Sequence, residues 1–203
     1  MKPWKVPKGV NRLAGVDEVG RGPLAWDVVT AAVILPADHS IEGLADSKAL
    51  SARQRENLYK DIISRADCWC VGRATVAEID RFNILQATLM AMRRAVIGLK
   101  IQPDYVAVDG NRLPQWEYKG EAVVKGDGRV EVISAASIIA KVVRDAEMKE
   151  MDAKYPGYGF AKNKGYGTAQ HLEALQRMGP SPIHRRTFAP VRNEIGLEQS
   201  PLF

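Results

Sequence analysis

Apolar and polar positions alternate along the chain in two periods, which predict strands interleaved with helices. Short apolar runs rich in β-branched residues predict strands over residues 13–18, 28–35, 68–75, 105–108 and 122–124. Apolar positions three or four residues apart predict helices at about 51–64, from 76 to about 99, at 134–154 and at 169–178. A turn rich in glycine and proline joins the first two strands and favours a hairpin.

This mixture of elements predicts a layered α/β fold with a functional site along one edge of its sheet. We expect a single domain over residues 1–203, because a chain of this length can bury a sizeable core. Beyond Tyr155 the composition shifts towards Gly, Lys and Tyr, which predicts a small helical appendage from about 155 to 190. Residues 198–203 are expected to form a flexible tail.

The charge balance and the cysteines narrow the class of protein. Lys and Arg outnumber Asp and Glu by 29 to 24, and a mildly basic chain with clustered acids fits a polyanionic substrate. No run is long enough to span a membrane and the first residues lack a signal peptide, so we expect a cytoplasmic protein. Cys68 and Cys70 would share one face of a strand, which predicts reduced packing residues rather than a disulfide.

Four carboxylates stand where predicted strands finish. Asp17 and Glu18 end the first strand, Asp109 ends the fourth, and Asp127 follows the fifth inside a glycine-flanked turn. Acids held together repel one another and are costly to bury, and a divalent cation relieves both effects. The pattern predicts two divalent ions of the kind that hydrolyse phosphodiesters, and Mg²⁺ suits such oxygen ligands. For Asp17 and Glu18 taken alone, an exposed acidic pair opening a surface turn is the alternative.

Seven motifs in the same order and at compatible spacings resemble bacterial ribonuclease HII, of the type 2 ribonuclease H family. The resemblance runs from about residue 13 to 197 and implies a ribonuclease H-like mixed sheet flanked by helices. The motifs are GVDEVGRGPL at residues 15–24, DSK at 46–48, VAVDGN at 106–111, VVKGD at 123–127, SAASIIAKVVRD at 134–145, KGYGT at 164–168 and HRRTF at 184–188.

The resemblance also assigns roles to the acids and to the first glycine turn. It implies that the four strand-end acids are catalytic and hold two ions of Mg²⁺ or Mn²⁺; they are Asp17, Glu18, Asp109 and Asp127. The backbone of Gly20, Arg21 and Gly22 would sense the ribose 2′-hydroxyl, since glycine lets the main chain approach a sugar closely.

Further substrate contacts are implied outside that turn. Tyr166 would stack on the deoxyribose on the 3′ side of the ribonucleotide. Basic residues would contact phosphates near the cut or hold the nucleic-acid backbone; they are Lys48, Lys125, His184, Arg185 and Arg186. Without the resemblance, Tyr166 could equally be a loop aromatic and Lys48 a simple turn residue. Asp145 lies four residues after Lys141, which predicts a surface ion pair rather than a metal ligand.

The chain departs from the family pattern at several positions. Trp26 stands where the family usually has glycine, and we expect this large side chain to cost stability or activity without changing the reaction. Asn163 replaces a histidine and Gly167 a proline, which predicts a more mobile loop at Tyr166. Thr187 for serine is a mild change.

The resemblance implies an endonuclease that cuts on the 5′ side of a ribonucleotide embedded in duplex DNA or in an RNA/DNA hybrid. The products would carry a 3′-hydroxyl and a 5′-phosphate, and the cut would initiate ribonucleotide excision repair. We expect a monomer, and a tail that resembles a sliding-clamp docking motif through Gln199, Leu202 and Phe203. The alternatives are a nuclease for long RNA in hybrids or for branched DNA, and a non-catalytic nucleic-acid-binding protein whose acids are structural.

Overall fold

The structure, a computed structural model, describes residues 4–44 and 50–196. Its elements confirm the predicted alternation of strands and helices. The strands are β1 (Leu13–Val19), β2 (Val28–Ile34), β3 (Cys68–Ala74), β4 (Tyr105–Asp109) and β5 (Gly120–Val123). The helices are α1 (Ala52–Arg65), α2 (Val76–Ile97), α3 (Glu131–Lys154), α4 (Phe160–Asn163), α5 (Ala169–Met178) and α6 (Ala189–Glu194).

The five strands form one mixed sheet in the order β3-β2-β1-β4-β5. β1 pairs antiparallel with β2, which confirms the predicted hairpin, and β2 pairs antiparallel with β3. β4 is parallel to β1, and β5 is parallel to β4. The carboxyl ends of β1, β4 and β5 therefore emerge at the same edge of the sheet, which is where the predicted acids lie.

Helices cover both faces of the sheet. α2 packs on one face, where Ala14 and Val16 of β1 meet Met92 and Val96. α3 packs on the other face so closely that a Cβ on Gly15 would overlap the backbone at Val132. Because alternate residues of a strand share a face, Asp17 lies on the same side as Gly15, beneath α3.

Helix ends follow local sequence signals, with one difference inside α2. Ser51 caps α1 as predicted, since its side chain accepts a hydrogen bond from the Gln54 backbone N–H. The helix predicted from 76 to about 99 ends at Ile97 and is kinked at Asn83, whose φ is 66°. The Asn83 side-chain oxygen accepts hydrogen bonds from the backbone N–H groups of Leu85 and Gln86, so it restarts the helix as a cap would.

The C-terminal part is helical, as predicted, and packs against α3. Its cluster joins Tyr158, Phe160 and Ile183 to Met148 of α3 and to Ala25 after β1. α4 and α6 have only four and six residues, too few to produce a readable apolar period. The division into one domain with an appendage stays a prediction, and the tail at 198–203 lies outside the described residues.

The state of the cysteines and the hydrophobicity of the helices also agree with the sequence. Cys68 and Cys70 are both free thiols. Across residues 4–44 and 50–196, none of the helices combines the length and apolarity that crossing a bilayer requires.

Candidate active site

Asp17, at the end of β1, is a buried carboxyl group. Only 6% of its surface is exposed, and its side chain accepts a hydrogen bond of 2.7 Å from the Glu18 backbone N–H. Burial raises the pKa of Asp17 well above its usual value, and the charges of Glu18 and Asp109 raise it further. A hydrogen bond from Ser137 of α3 acts in the opposite direction. Asp17 is therefore a buried acid crowded by other acids.

Glu18 follows on β1 and is paired with an arginine of the next turn. Its side-chain oxygen lies 3.4 Å from an Arg21 guanidinium nitrogen. Burial raises the pKa of Glu18 despite the nearby Arg21 charge, and Asp109 adds to the rise. Two neighbouring carboxyl groups thus share a shift in the direction expected of crowded acids.

Asp109 comes to this place through the parallel pairing of β1 with β4. Val16 is opposite Val108 in the register, so Asp17 and Asp109 follow one residue later on adjacent strands. The Asp109 carboxylate also accepts hydrogen bonds from the backbone N–H groups of Gly126, at 2.6 Å, and Asp127, at 3.2 Å. Asp109 therefore ties the turn after β5 to the end of β4.

Asp127 lies in a short 3-10 turn, Gly126–Gly128, and is 7% exposed. Lys125 before it has a φ of 55°, and a Cβ on Gly126 would lie 2.6 Å from the end of the Ile133 side chain, so the turn packs closely against α3. Asp127 and Glu18 line the same cavity of about 210 Å³, together with Ser137, Lys141 and Arg55. Lys141 is paired with Asp145 at 2.7 Å, which confirms that predicted ion pair.

The four predicted acids are neighbours at one edge of the sheet. Charge interactions link Asp17, Glu18 and Asp109, and the cavity links Glu18 to Asp127. Within the described part of the chain, no group of three or more His, Cys, Asp or Glu side chains is already arranged to hold a metal ion. The donor set, which consists of crowded and largely buried carboxylates, fits a hard divalent cation such as Mg²⁺ or Mn²⁺. Their role as metal ligands stays a prediction.

The turn after β1 lies directly against the Tyr166 loop. A Cβ on Gly22 would be 3.3 Å from the Tyr166 ring, and the ring itself is 44% exposed. The Leu24 backbone N–H donates a hydrogen bond of 2.7 Å to the Gly165 carbonyl. The two segments predicted to recognise the ribonucleotide are therefore in contact, although they are far apart in the sequence.

The remaining predicted substrate residues divide into exposed and buried groups. Lys125 and Arg186 are exposed, and Lys48 lies outside the described residues. His184 and Arg185 are 1% and 0% exposed, so neither side chain faces a substrate surface in this structure. The Arg185 guanidinium donates instead to the carbonyl of Gly20, and the His184 ring is hydrogen-bonded to Ser181 and His171.

Two supporting residues escaped the sequence analysis. Arg144 of α3 is fully buried, and Ser137 donates to Asp17. A signal for Arg144 was present, since it lies four residues from both Ala140 and Met148, which are buried on the same helix face. An arginine on an apolar helix stripe indicates a structural partner inside the protein.

Trp26 occupies a backbone conformation that favours glycine. Its φ is 74°, and its indole N–H donates a hydrogen bond of 2.9 Å to Glu147, which also pairs with Arg73. The half-buried ring packs at the border of the C-terminal cluster. The family glycine that this tryptophan replaces is thus explained by the local backbone.

Comparison with known proteins gives the family directly. The model of the ribonuclease HII family matches residues 14–191. Ribonuclease HII from Vibrio campbellii is 55% identical over 199 residues, covering 98% of this chain and 94% of the relative. Ribonuclease HII from Vibrio cholerae is 54% identical over 198 residues, with 98% and 96% covered.

Solved structures agree with the fold. Ribonuclease H2 from Pyrococcus horikoshii has a TM-score of 0.75 and 32% identity, covering 90% of this chain and 96% of its own. RNase HII of Archaeoglobus fulgidus, solved in complex with PCNA, has a TM-score of 0.70 at 23% identity, with 94% and 98% covered. Bst-RNase HIII, solved with Mn²⁺, has a TM-score of 0.71 at 18% identity, with 92% and 70% covered.

The resemblance read from the motifs is therefore confirmed by a family match over most of the chain and by relatives that share more than half of its residues. The chain belongs to the ribonuclease HII family, whose members are ribonuclease H endonucleases that act on RNA/DNA hybrids.

Proposed function

We propose that this chain hydrolyses the phosphodiester on the 5′ side of a ribonucleotide embedded in duplex DNA or in an RNA/DNA hybrid. The cut would leave a 3′-hydroxyl and a 5′-phosphate and would initiate ribonucleotide excision repair. The observation that carries the proposal is the parallel pairing of β1 with β4, which sets Asp17 beside Asp109 at the sheet edge. Raised pKa values of Asp17 and Glu18 support it, because crowded acids are what a bound cation stabilises.

The proposed metal ligands are Asp17, Glu18, Asp109 and Asp127, holding two ions of Mg²⁺ or Mn²⁺. When bound, such ions would supply a water nucleophile and stabilise the leaving 3′ oxygen. The chain itself contributes the ligand positions. Asp109 holds the turn of Asp127 through two backbone N–H groups, and Ser137 orients Asp17 from α3. The Mn²⁺ solved with Bst-RNase HIII belongs to that protein, and oxygen-only donors support the same class of ion here.

Recognition of the ribonucleotide is assigned to the turn of Gly20, Arg21 and Gly22, with Tyr166 beside it. The proximity of Gly22 to the exposed Tyr166 ring supports this assignment, since one nucleotide could meet both. Lys125 would contact a phosphate near the cut and Arg186 would help to hold the nucleic-acid backbone, and the exposure of both side chains supports these roles.

Several finer statements remain predictions. Phosphate contact by Lys48, clamp docking through Gln199, Leu202 and Phe203, the monomeric state and the cytoplasmic location all rest on the sequence. The PCNA complex solved for the Archaeoglobus fulgidus protein describes that protein.

The direct test is cleavage of a duplex that carries one ribonucleotide. We expect a single cut 5′ of the ribonucleotide with Mg²⁺ or Mn²⁺, no cut with chelator, and no cut in the matched all-DNA duplex. Cleavage of uniform RNA/DNA hybrids but not of the single-ribonucleotide duplex would favour a hybrid nuclease instead. Binding of the duplex without any cleavage under all metal conditions would favour the non-catalytic alternative.

A further inference from the structure

Two arginines that are fully buried hold the backbone of the turn after β1. Arg185, which precedes α6, points its guanidinium into the segment from Gly20 to Trp26. All of its hydrogen bonds go to backbone carbonyls; they are those of Gly20 at 2.5 Å, Pro23 at 2.7 Å, Trp26 at 2.9 Å and Arg21 at 3.0 Å. One side chain therefore fixes four peptide groups of a single turn.

Arg144 of α3 also forms hydrogen bonds to the backbone of this turn. Its guanidinium donates to the carbonyls of Lys164 at 2.9 Å, Ala25 at 3.0 Å and Asp27 at 3.1 Å. The bond to Lys164 joins the turn to the segment that carries Tyr166. The Gly20 φ is 95°, and a Cβ there would overlap the Arg144 side chain, so the arginine also requires a glycine at the start of the turn.

Backbone carbonyls accept the side-chain hydrogen bonds of both arginines. Among residues 4–44 and 50–196, no carboxylate forms a salt bridge with either guanidinium. Burial, with the charge of Arg144, lowers the pKa of Arg185 to about 9, so the side chain stays protonated at neutral pH. Burying a guanidinium is costly, and hydrogen bonds from it to several carbonyls give the backbone of the turn a defined shape.

The carbonyl contacts determine which way the amides of the turn point. In a trans peptide group the C=O and the N–H point in opposite directions, and the described residues contain no cis peptide bond. Because Arg185 holds the carbonyls of Gly20 and Arg21, the N–H groups of Arg21 and Gly22 point away from it. Neither amide donates a hydrogen bond to another described residue.

The next bonded peptide group in the turn shows where that outer side lies. Arg185 also holds the Pro23 carbonyl, and the N–H of the same peptide group, on Leu24, donates to the Gly165 carbonyl. The side of the turn that faces away from Arg185 is therefore the side of the Tyr166 loop. The two undonated amides lie on a turn that passes close to the exposed Tyr166 ring, since a Cβ on Gly22 would be 3.3 Å from that ring.

We propose that Arg185 is a positioning residue for ribonucleotide selectivity, because it directs the Arg21 and Gly22 amides towards the ribose hydroxyl and keeps them in register with Tyr166. The proposal rests on the proposed function and deepens it, since it names what sets the geometry of the backbone reader. Arg185 never touches the substrate in this arrangement. Arg144 supports the same turn through the Lys164 carbonyl.

The test compares the affinities for two duplexes that differ by a single 2′-hydroxyl. Both are measured with the full chain carrying Asp17→Asn, so that the substrate is bound and not cut. Arg185→Lys keeps the charge but loses the planar fork of donors that holds four carbonyls. We expect the Kd for the ribonucleotide duplex to rise by about tenfold, while the Kd for the all-DNA duplex stays nearly unchanged. The ratio of the all-DNA Kd to the ribonucleotide Kd therefore falls.

Arg177→Lys is the matched control, since Arg177 is exposed on α5 and, among the described residues, forms no hydrogen bond to the turn. It should leave the ratio as it is. If Arg185 had only a structural role, Arg185→Lys would weaken the binding of both duplexes equally or reduce the fraction of active protein. The ratio of the two Kd values would then stay the same. An unchanged ratio in folded Arg185→Lys protein overturns the proposal.

A second measurement avoids the risk that Arg185→Lys fails to fold. In Asp17→Asn protein with Arg185 intact, the backbone amide resonances of Arg21 and Gly22 should shift with the ribonucleotide duplex and stay in place with the all-DNA duplex. Equal shifts with both duplexes overturn the inference. If the unaltered protein neither cuts at the ribonucleotide nor prefers it, the proposed function fails and this inference with it; if it does both while the variant keeps the preference, only the inference fails.

Discussion

Asp17 shows how a single residue can be held against its own preference. The carboxyl group is buried beneath α3, and the charges of Glu18 and Asp109 act on it, so its charged form is destabilised in the folded protein. Its pKa is raised well above the ordinary 3.8, so the folded state binds this proton more tightly than the unfolded chain does. The free energy of unfolding therefore falls as the pH rises from the pKa of Asp17 in the unfolded chain to its higher pKa in the folded protein.

We predict that Asp17→Asn stabilises the metal-free protein at neutral pH while abolishing cleavage. Asparagine keeps the shape and removes the buried charge, which should add about 1 kcal/mol and raise Tm by about 2–4 °C. Calorimetry in chelator at pH 7 and at pH 4 checks this, and the gain should shrink at pH 4, where Asp17 is closer to neutral. Asp38→Asn, at an exposed acid, is the control; a Tm for Asp17→Asn at or below that of the unaltered protein contradicts the prediction.

Trp26 is a second residue whose backbone conflicts with its side chain. A φ of 74° costs a residue with a Cβ about 1–2 kcal/mol, which glycine avoids. The indole offsets part of that cost through its hydrogen bond to Glu147 and its packing on the C-terminal cluster. Trp26→Ala removes the side-chain contacts but keeps the strain, and Trp26→Gly removes both.

We predict that Trp26→Gly is more stable than Trp26→Ala by about 1 kcal/mol, measured by urea unfolding. The pair isolates the backbone term because both variants lose the same contacts. Cleavage should occur at the same position in both variants as in the unaltered protein. No change in either stability or rate on restoring glycine would show that the tryptophan carries no cost.

At the scale of elements, α5 is joined to the turn before α6 by two buried histidines. The His171 ring Nδ1 lies 2.8 Å from the Tyr166 carbonyl, which can only accept, so His171 carries its proton on Nδ1. His184 Nδ1 accepts from the Ser181 backbone N–H at 2.9 Å, so its proton is on Nε2 and is donated to His171 Nε2 at 3.0 Å. One neutral tautomer of each ring satisfies the whole chain of hydrogen bonds, and a further proton on either ring breaks one of them.

We predict that acid destabilises this part of the fold through His184. Burial, helped by the neighbouring His171, lowers the pKa of His184 from 6.5 to about 4. The unfolded chain therefore binds the proton first, and stability is lost as the pH falls from 6.5 towards 4, by up to about 3 kcal/mol. Urea unfolding at several pH values should show this slope and a flatter one in His184→Asn; equal slopes would contradict the assignment.

At the scale of the whole molecule, the site was predictable where it depends on strand ends. Asp17, Asp109 and Asp127 follow apolar runs, and parallel strands bring their carboxyl ends to one sheet edge. The order of the strands and the kink at Asn83 depend on tertiary packing and local capping, which a single period does not encode. The burial of Arg185 was not predictable for a similar reason, since its partners are carbonyls that every residue possesses.

The hydrogen bonds from Arg185 to the turn after β1 also have a consequence for synthesis of the protein on the ribosome. Arg185 comes 165 positions after Gly20 in the chain, yet it shapes the turn that Gly20 begins. At ordinary rates of translation, that interval amounts to roughly ten seconds or more. The nascent chain thus exposes its glycine hairpin long before the side chain that holds the carbonyls of that hairpin has been made.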